Sequence, residues 1–367
     1  MSKKEASNIK INLMNLIVLF IIFICSCGSK NNSLATNSTI KIGARTYRSS
    51  GPVILTSNTI ISGLNIDLRN APITGIIGKG ISNVHITNCR IVNTTTFAIR
   101  LNNCSNVTID NCFISNAGFG VYAENGSKSI KVNNNQFLNI NGIDENYLGH
   151  AVQFNNVTGG GNQINNNRIE NIAGVAQHPH DIINVYHSSG IPGDSIQVIG
   201  NWIRGGQLSK WPGKNDGACG IVLGDEYGSY QVARNNILVN PGAGGVANIS
   251  NKGASTGIKI DHNLVFSVQT PVTGQAIGVI SNSQADVGYN RINWTNSSGG
   301  NTVNSAPYSQ YWLASSPTPL NWSTNTWADK SIDDSILPAI IITMNINPSS
   351  GKKVPAKRSN AVPPKEN

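Results

Sequence analysis

The chain has 367 residues, of which only 12% are charged, with 37 glycines, 15 prolines, abundant asparagine and few aromatic residues. Such a mixture suits short strands joined by tight turns and excludes a protein built of amphipathic helices, since no stretch beyond the N-terminus sustains a capped helical period. The net charge of +9 is concentrated at the two ends; with no motif beside it, nucleic-acid binding is excluded and a mildly basic body remains.

In chain order, Lys3, Lys4 and Lys10 precede an apolar run from Ile11 to Ile24, followed by small residues and cysteine. The run is short for a membrane-spanning helix and has the flanks of an export signal. Ile24-Cys25-Ser26-Cys27-Gly28 resembles the lipobox of bacterial lipoproteins. That resemblance implies a signal peptide over 1–26, lipid attachment at Cys27 and a polar tether over 27–40. The protein would then be exported and held to the bacterial membrane, at the cell envelope or cell surface.

The segment 41–296 reads as one solenoid domain, and between Ile86 and Ile292 one pattern recurs eight times: an apolar residue, Asn or Cys three positions on, and an apolar residue at five. The anchors are Ile86, Ile109, Val132, Ile164, Val198, Val232, Ile260 and Val287. Their polar partners are Cys89, Cys112, Asn135, Asn167, Asn201, Asn235, Asn263 and Asn290. A polar column between two apolar ones specifies stacked turns of chain, a solenoid. Ile61 to Ile66 reads as an earlier, degenerate coil, and Lys41–Leu55 as a cap over the N-terminal edge. Cys89 and Cys112 are column neighbours one strand spacing apart, about 4.8 Å. In an exported protein that spacing suits a disulfide and equally two reduced thiols.

Runs such as Asn106-Val107-Thr108-Ile109-Asp110-Asn111 resemble the repeats of the pectate-lyase-like superfamily. The resemblance covers about Ser57 to Asn296 and implies an all-β fold, a single-stranded right-handed parallel β-helix (solenoid) of about 8–10 coils.

A second strand aligns in each coil on the inward residues Ile99, Val121, Val152, Ile182, Ile221, Val246 and Ile277. The connections leading to it swell in three consecutive coils, at Leu138–Gly149, Glu170–Pro179 and Arg204–Ala218. Long loops side by side on a rigid rod make a wall or cleft, where binding and chemistry concentrate. Four of the six histidines fall in these loops or in the strands they feed. Two columns before the inward residue stand Phe97, Phe119, His150, His180, Cys219, Gly244 and Gln275. His150 and His180 are thereby neighbours, and strand parity turns them inward. The following column reads Ala98, Gly120, Ala151, Asp181, Gly220, Gly245 and Ala276. It leaves Asp181 as a lone outward carboxylate in a shallow groove.

This constellation makes His180 a general base or acid, oriented or tuned by Asp181, His178 or His150; a hydrogen-bonded histidine pair closing the loop entrances is the structural alternative. His178-Pro179-His180-Asp181 is similar to the Asp-Pro-His-Asp motif of β-helical alginate C5-epimerases, with His178 in place of Asp. The similarity places proton transfer at a uronate C5 on His180. A lyase or epimerase also needs a proton donor, Tyr147 or Tyr186, and a cation to neutralise the uronate, Arg204, Lys210 or Lys214. Trp211 and His187 complete the candidate substrate-binding set. No cofactor is firmly indicated; Ca²⁺ is possible at Asp216, Asp225 and Glu226. The alternatives are a glycoside hydrolase with paired carboxylates, Asp181 with Asp216, Asp225 and Glu226 lying at the far end of the same strand, and a surface β-helix that binds carbohydrate without cutting it. The expected partner is an anionic polysaccharide. Beyond the repeat, 297–348 reads as an irregular capping segment and 349–367 as a mobile basic tail. Oligomeric state is not legible.

Overall fold

Alternating inward β-branched residues and turn asparagines build a parallel β-helix. The computed structural model describes residues 39–42, 45–143, 149–172, 180–205, 219–242, 244–250, 255–267, 275–280, 284–294, 311–313 and 318–336. All lie in one compact unit, Asn37–Asn367. A complete coil has three short strands. Among the described residues the first strands form a nine-stranded parallel sheet from Thr59–Ser62 through Ser105–Asp110 to Asp286–Gly288. The second and third strands share a larger sheet. In Arg90–Asn102 and Phe113–Glu124 the chain runs from the second face to the third without a break, through a register shift between Ala117 and Phe119. At the N-terminal end Thr39–Ile42 pairs antiparallel with Arg45–Ser50, which lies parallel to Leu64–Ala71. Among the described residues no helix is long and apolar enough to cross a membrane.

Ile61, Ile86, Ile109, Val132, Ile164 and Val198 stack in register on the first face. The next rung departs from the sequence alignment by one residue. Val198 pairs with Ala233 rather than Val232, so Asn236 and Leu238, not Asn235 and Ile237, take the polar and second apolar columns. Backbone conformation explains the slip. The residue before each polar position turns left-handed, as at Asn111 (φ 52°), Asn134 (φ 58°) and Gly200 (φ 68°), and Asn235 (φ 54°) is the residue that does so here. Ala233 is fully buried, and its small size hid it behind the larger Val232.

The polar column is a hydrogen-bonded ladder at the turn from first to second face. Asn201 Oδ1 accepts from Asn167 N and Nδ2, both at 3.0 Å, while Asn201 Nδ2 donates to Ile164 O at 2.8 Å and to Asn236 Oδ1 at 3.0 Å. The same bonds repeat from Asn135 to Asn290. Buried backbone groups at a turn have no water to satisfy them, and each amide side chain supplies the missing donor and acceptor. Cys89 and Cys112 precede the asparagines in this column, and both are free thiols.

Stacking continues past Asn296. Tyr311–Leu313 pairs parallel with Ile277–Ile280, Leu320 and Thr326 bridge Asp286 and Arg291, and Asn325 extends the ladder by accepting from Asn290 N at 3.0 Å. Trp322 and Trp327 pack on the end of the core.

Replacing a mid-ladder asparagine strands groups on both neighbouring rungs, each costing about 1–3 kcal/mol. Asn201→Ala is expected to lower the denaturant midpoint strongly, whereas Lys128→Ala, an exposed residue at the start of a first-face strand, should leave it nearly unchanged; equilibrium unfolding of the two variants checks this.

Candidate active site

On the third face Ile99, Val121 and Val152 stack as the repeat requires. The next residue in register is Ile183, not Ile182, and from it the column continues to Ile221, Val246 and Ile277. His180 N nevertheless bonds to Gly149 O at 2.8 Å, so the chain between His180 and Ile183 holds an extra residue relative to the coil before it, a local bulge. Two expectations change. Ile182, fully buried in the main core, fills the small-residue column. Asp181 moves into the column of Phe97, Phe119, His150 and Cys219. It is not a lone carboxylate in a groove of Ala and Gly; it is 5% exposed and held on several sides.

The direction of that column is also corrected. Ala98 with Ile99, Ala151 with Val152 and Ile182 with Ile183 all belong to the main core. Two adjacent residues therefore turn inward at this corner, and simple alternation fails before it. Phe97, Phe119 and Tyr122 form a separate cluster covered by Ile143. Their rings continue into the histidines: Phe97 to Phe119 at 5.0 Å, Phe119 to His150 at 5.3 Å and His150 to His180 at 5.7 Å between centroids. His150 and His180 thus stand on the outer face, as part of an aromatic row along the helix.

His150 Nδ1 donates to the Asp181 carbonyl at 2.5 Å. Burial, partly offset by the Asp181 charge, lowers its pKa to about 4, so at neutral pH it is an uncharged imidazole with Nε2 unprotonated. His180 Nδ1 lies 3.3 Å from Asp181 Oδ2, and its side chain stays 24% exposed. The Asp181 carboxylate also accepts from Cys219 N at 3.2 Å and from Asn184 Nδ2 at 2.7 Å. Burial alone would raise its pKa. The charge and contact of His180, the field of His150 and the Asn184 bond more than offset that and hold it well below the usual carboxylate range.

Asn184 Nδ2 also donates to Asp225 Oδ2 at 2.8 Å. One amide nitrogen therefore bridges two carboxylates, which lie no further apart than those two bonds laid end to end. Both amide protons are committed, and Asn184 Oδ1 has no partner in the protein among the described residues. Burial and the nearby charge of Asp181 push the Asp225 carboxyl up to about 6, against the opposing pull of Asn184 and His180. Two carboxyl groups at one amide are thus driven in opposite directions.

Beside this pair, Tyr186, His187 and Tyr227 form a stack, with centroids 3.8 and 4.2 Å apart. His187 Nε2 sits 3.2 Å from Glu226 Oε2, so Glu226 turns away from the pair and toward the stack. On the other side Tyr122 Oη accepts from Asn155 Nδ2 at 2.6 Å, and Arg100 pairs with Glu124 at 2.7 Å. The sequence reading passed over Asn184, Tyr122 and Tyr227. The sequence alignment hid Asn184: with Ile182 as the inward residue, alternation turns Asn184 inward as well, whereas the structure sets Ile183 in the inward column and Asn184 between the core residues Ile183 and Val185.

Arg204 is not in the site. It lies on the second face, where a guanidinium nitrogen donates to Asp334 O at 2.9 Å. Tyr147, His178, Lys210, Trp211, Lys214, Asp216 and Cys27 lie outside the described residues. Donor atoms of His150, His180 and Asp181 all fall within 4.8 Å of one another, a spacing that a small transition-metal ion could bridge through the free His150 Nε2. Asp225 bonds to Asn184 and Glu226 to His187, while Asp216, the third residue of the expected Ca²⁺ set, lies outside the described residues.

The model of the family described as "Right handed beta helix region" matches residues 22–167. No curated protein matches the chain by sequence. Among solved structures, the catalytic domain of a GH87 α-1,3-glucanase in complex with nigerose superposes with a TM-score of 0.51 at 14% identity, covering 74% of this chain and 50% of that one. The chain thus spans about half the length of that domain. PfbA, a surface adhesin of Streptococcus pneumoniae, gives 0.43 at 12% identity, over 67% of this chain and 76% of its own. An alginate lyase from Paenibacillus sp. str. FPU-7 gives 0.39 at 14%, over 73% and 80%. Family model, strand pairing and the glucanase superposition agree on one class of fold, the right-handed parallel β-helix. At these identities the likenesses speak to fold alone.

Because the Asn184 bond favours the ionised form of both carboxylates, removing it should raise both pKa values. In Asn184→Ala, Asp225 is expected to titrate above its wild-type value of about 6, as followed by carboxyl-carbon NMR. An unchanged titration would remove the bridge from the account.

Proposed function

We propose that this protein is an exported, lipid-anchored, carbohydrate-active β-helix that hydrolyses glycosidic bonds of a polysaccharide at the Asp181–Asp225 pair. The observation that carries the reading is the single Asn184 nitrogen joining a carboxylate held ionised to one pushed up to about 6. Opposed ionisation of two neighbouring acids is the requirement of glycoside hydrolysis, and carboxyl groups roughly 5–10 Å apart serve it. Protonated Asp225 gives its proton to the departing glycosidic oxygen as the C–O bond breaks. Ionised Asp181 stabilises the positive charge growing on the sugar. Water then adds to the anomeric carbon and gives its proton to the Asp225 carboxylate left by the first step, which restores the acid. The Tyr186–His187–Tyr227 stack offers flat apolar surface for a neighbouring sugar. The glucanase likeness supports this at the level of fold.

A second reading, proton abstraction from a uronate by His180, is favoured by the Asp181–His180 contact and by the His178–Asp181 sequence similarity. It is disfavoured by charge. Among the described residues no lysine or arginine pairs with Asp181 or Asp225, so nothing there offsets a substrate carboxylate. A neutral sugar suits this site better than the anionic polymer expected from sequence.

Purified protein incubated with neutral glucans and with uronate polymers distinguishes the two. New reducing ends without unsaturated products are expected, lost by a factor of about 10²–10⁴ in Asp225→Asn. Since Asp225 acts in its protonated form, the rate should fall as pH rises above about 6. Unsaturated products that vanish in His180→Ala would instead establish elimination. For the anchor, wild-type protein should fractionate with membranes and Cys27→Ala should not; identical partitioning of the two would dismiss lipidation at Cys27.

A further inference from the structure

The second face carries a cleft that the candidate active site does not use. It has a volume of about 370 Å³ and is bordered by Arg45, Asn134, Gln136, Asn166, Arg168 and Trp202, a size in the range of small-ligand sites. It follows the turn at which the asparagine ladder runs. Its floor is open because Gly200 takes the left-handed position (φ 68°) of the turn column; a Cβ there would come within 2.5 Å of Asn166 Oδ1.

The charges make this cleft unlike the rest of its face. Gln136, Arg168 and Trp202 are successive rungs of one outward column, which also carries Arg90, next to Asn65, on one side and Arg291, next to Thr326, on the other. These two arginines are matched: Arg90 donates to Asn65 at 2.7 Å and feels the charge of Asp67, and Arg291 pairs with Asp329 at 2.8 Å. Arg168 has no acidic partner among the described residues. Its guanidinium lies over the Trp202 ring, 4.9 Å from the centroid, which fixes the position of a long side chain before any ligand arrives. Arg45 reaches the same cleft from the N-terminal strand and, among the described residues, donates only to the Asn111 carbonyl, at 3.0 Å. A carbonyl leaves the charge uncompensated. Two fixed guanidinium groups without a counter-charge, bordered by side-chain amides, call for an anionic group on a hydroxylated body: the guanidinium forks pair with carboxylate or sulfate oxygens, and the amides pair with hydroxyls.

We propose that this cleft is a second carbohydrate site, separate from the catalytic pair, that binds an acidic sugar residue of a polysaccharide through Arg45 and Arg168. The site does not depend on the hydrolytic reading, because none of its residues belongs to that machinery.

Calorimetric titration of the full chain at low salt tests it. The probes are an oligouronate of four residues, a sulfated oligosaccharide and a neutral gluco-oligosaccharide of equal length, and sodium sulfate alone, each also titrated into Asp225→Asn. One or both acidic oligosaccharides should bind, with affinity falling as salt rises, and which of them binds identifies the anionic group. Arg168→Gln and Arg45→Gln should each weaken binding at least tenfold, with Arg168→Lys recovering part of the loss. Asp225→Asn should leave it unchanged. Sulfate binding as tightly as the oligosaccharides would mean an adventitious ion only and would overturn the proposal. So would undetectable binding of both acidic probes, binding of the neutral one that Arg168→Gln weakens as much as it weakens the acidic ones, or acidic-probe affinity that survives Arg168→Gln but is lost in Asp225→Asn.

Discussion

Everything in this β-helix depends on solving one problem at the turn from first to second face: the buried backbone there must be hydrogen-bonded in every coil. The ladder from Asn135 to Asn325 does this by giving each amide to the rungs on either side. A rung cannot slip without breaking bonds on two neighbours, so the ladder locks register more tightly than the apolar columns do. Apolar stacking tolerates exchange, as Ala233 between Val198 and Ile260 demonstrates. Fixed register on this edge lets the opposite corner of the coil vary in length without disturbing the stack.

The candidate active site arises where that freedom is used. An extra residue between His180 and Ile183 shifts Asp181 out of the small-residue column and places it against His180, Cys219 and Asn184. Buried charge is costly, and Asp181 is tolerated because contacts from two adjacent coils favour its ionised form. The cost reappears on Asp225, which shares Asn184 and carries the raised pKa. A single bulge therefore produces a buried charge and, through it, a neighbouring acid poised near neutrality.

The sequence made the fold legible because its signal is repeated: eight copies average out a single misplacement, and the error at Val232 cost nothing in architecture. The site has no such redundancy. Each of its columns is sampled once per coil, so the one-residue shift at Ile182 was enough to assign Asp181 the wrong neighbours and, with the failure of alternation at the corner, to turn His150 inward. The gathering of His150, His180 and Asp181 survived because proximity along the stack tolerates an error of one residue. Orientation does not. Arg204 failed for a related reason: loop position suggested it, but it belongs to the second face and is engaged by Asp334 O.

Charge sorting between faces follows from the same geometry. In a parallel β-helix an outward column collects one residue from each coil, so like residues accumulate along a line unless another chain segment compensates them. On the second face the outer arginines of the column are compensated, by Asn65 and Asp67 for Arg90 and by Asp329 for Arg291. The centre is left cationic at Arg168. On the third face the acids at Asp181 and Asp225 receive amide and imidazole contacts but, among the described residues, no lysine or arginine. Neither imbalance is needed to hold the coils together, because the ladder and the apolar core already do that. Uncompensated charge that a fold does not require is a cost to the free protein, and a ligand of opposite or neutral character relieves it. An anion suits the second face, and an uncharged sugar suits the third.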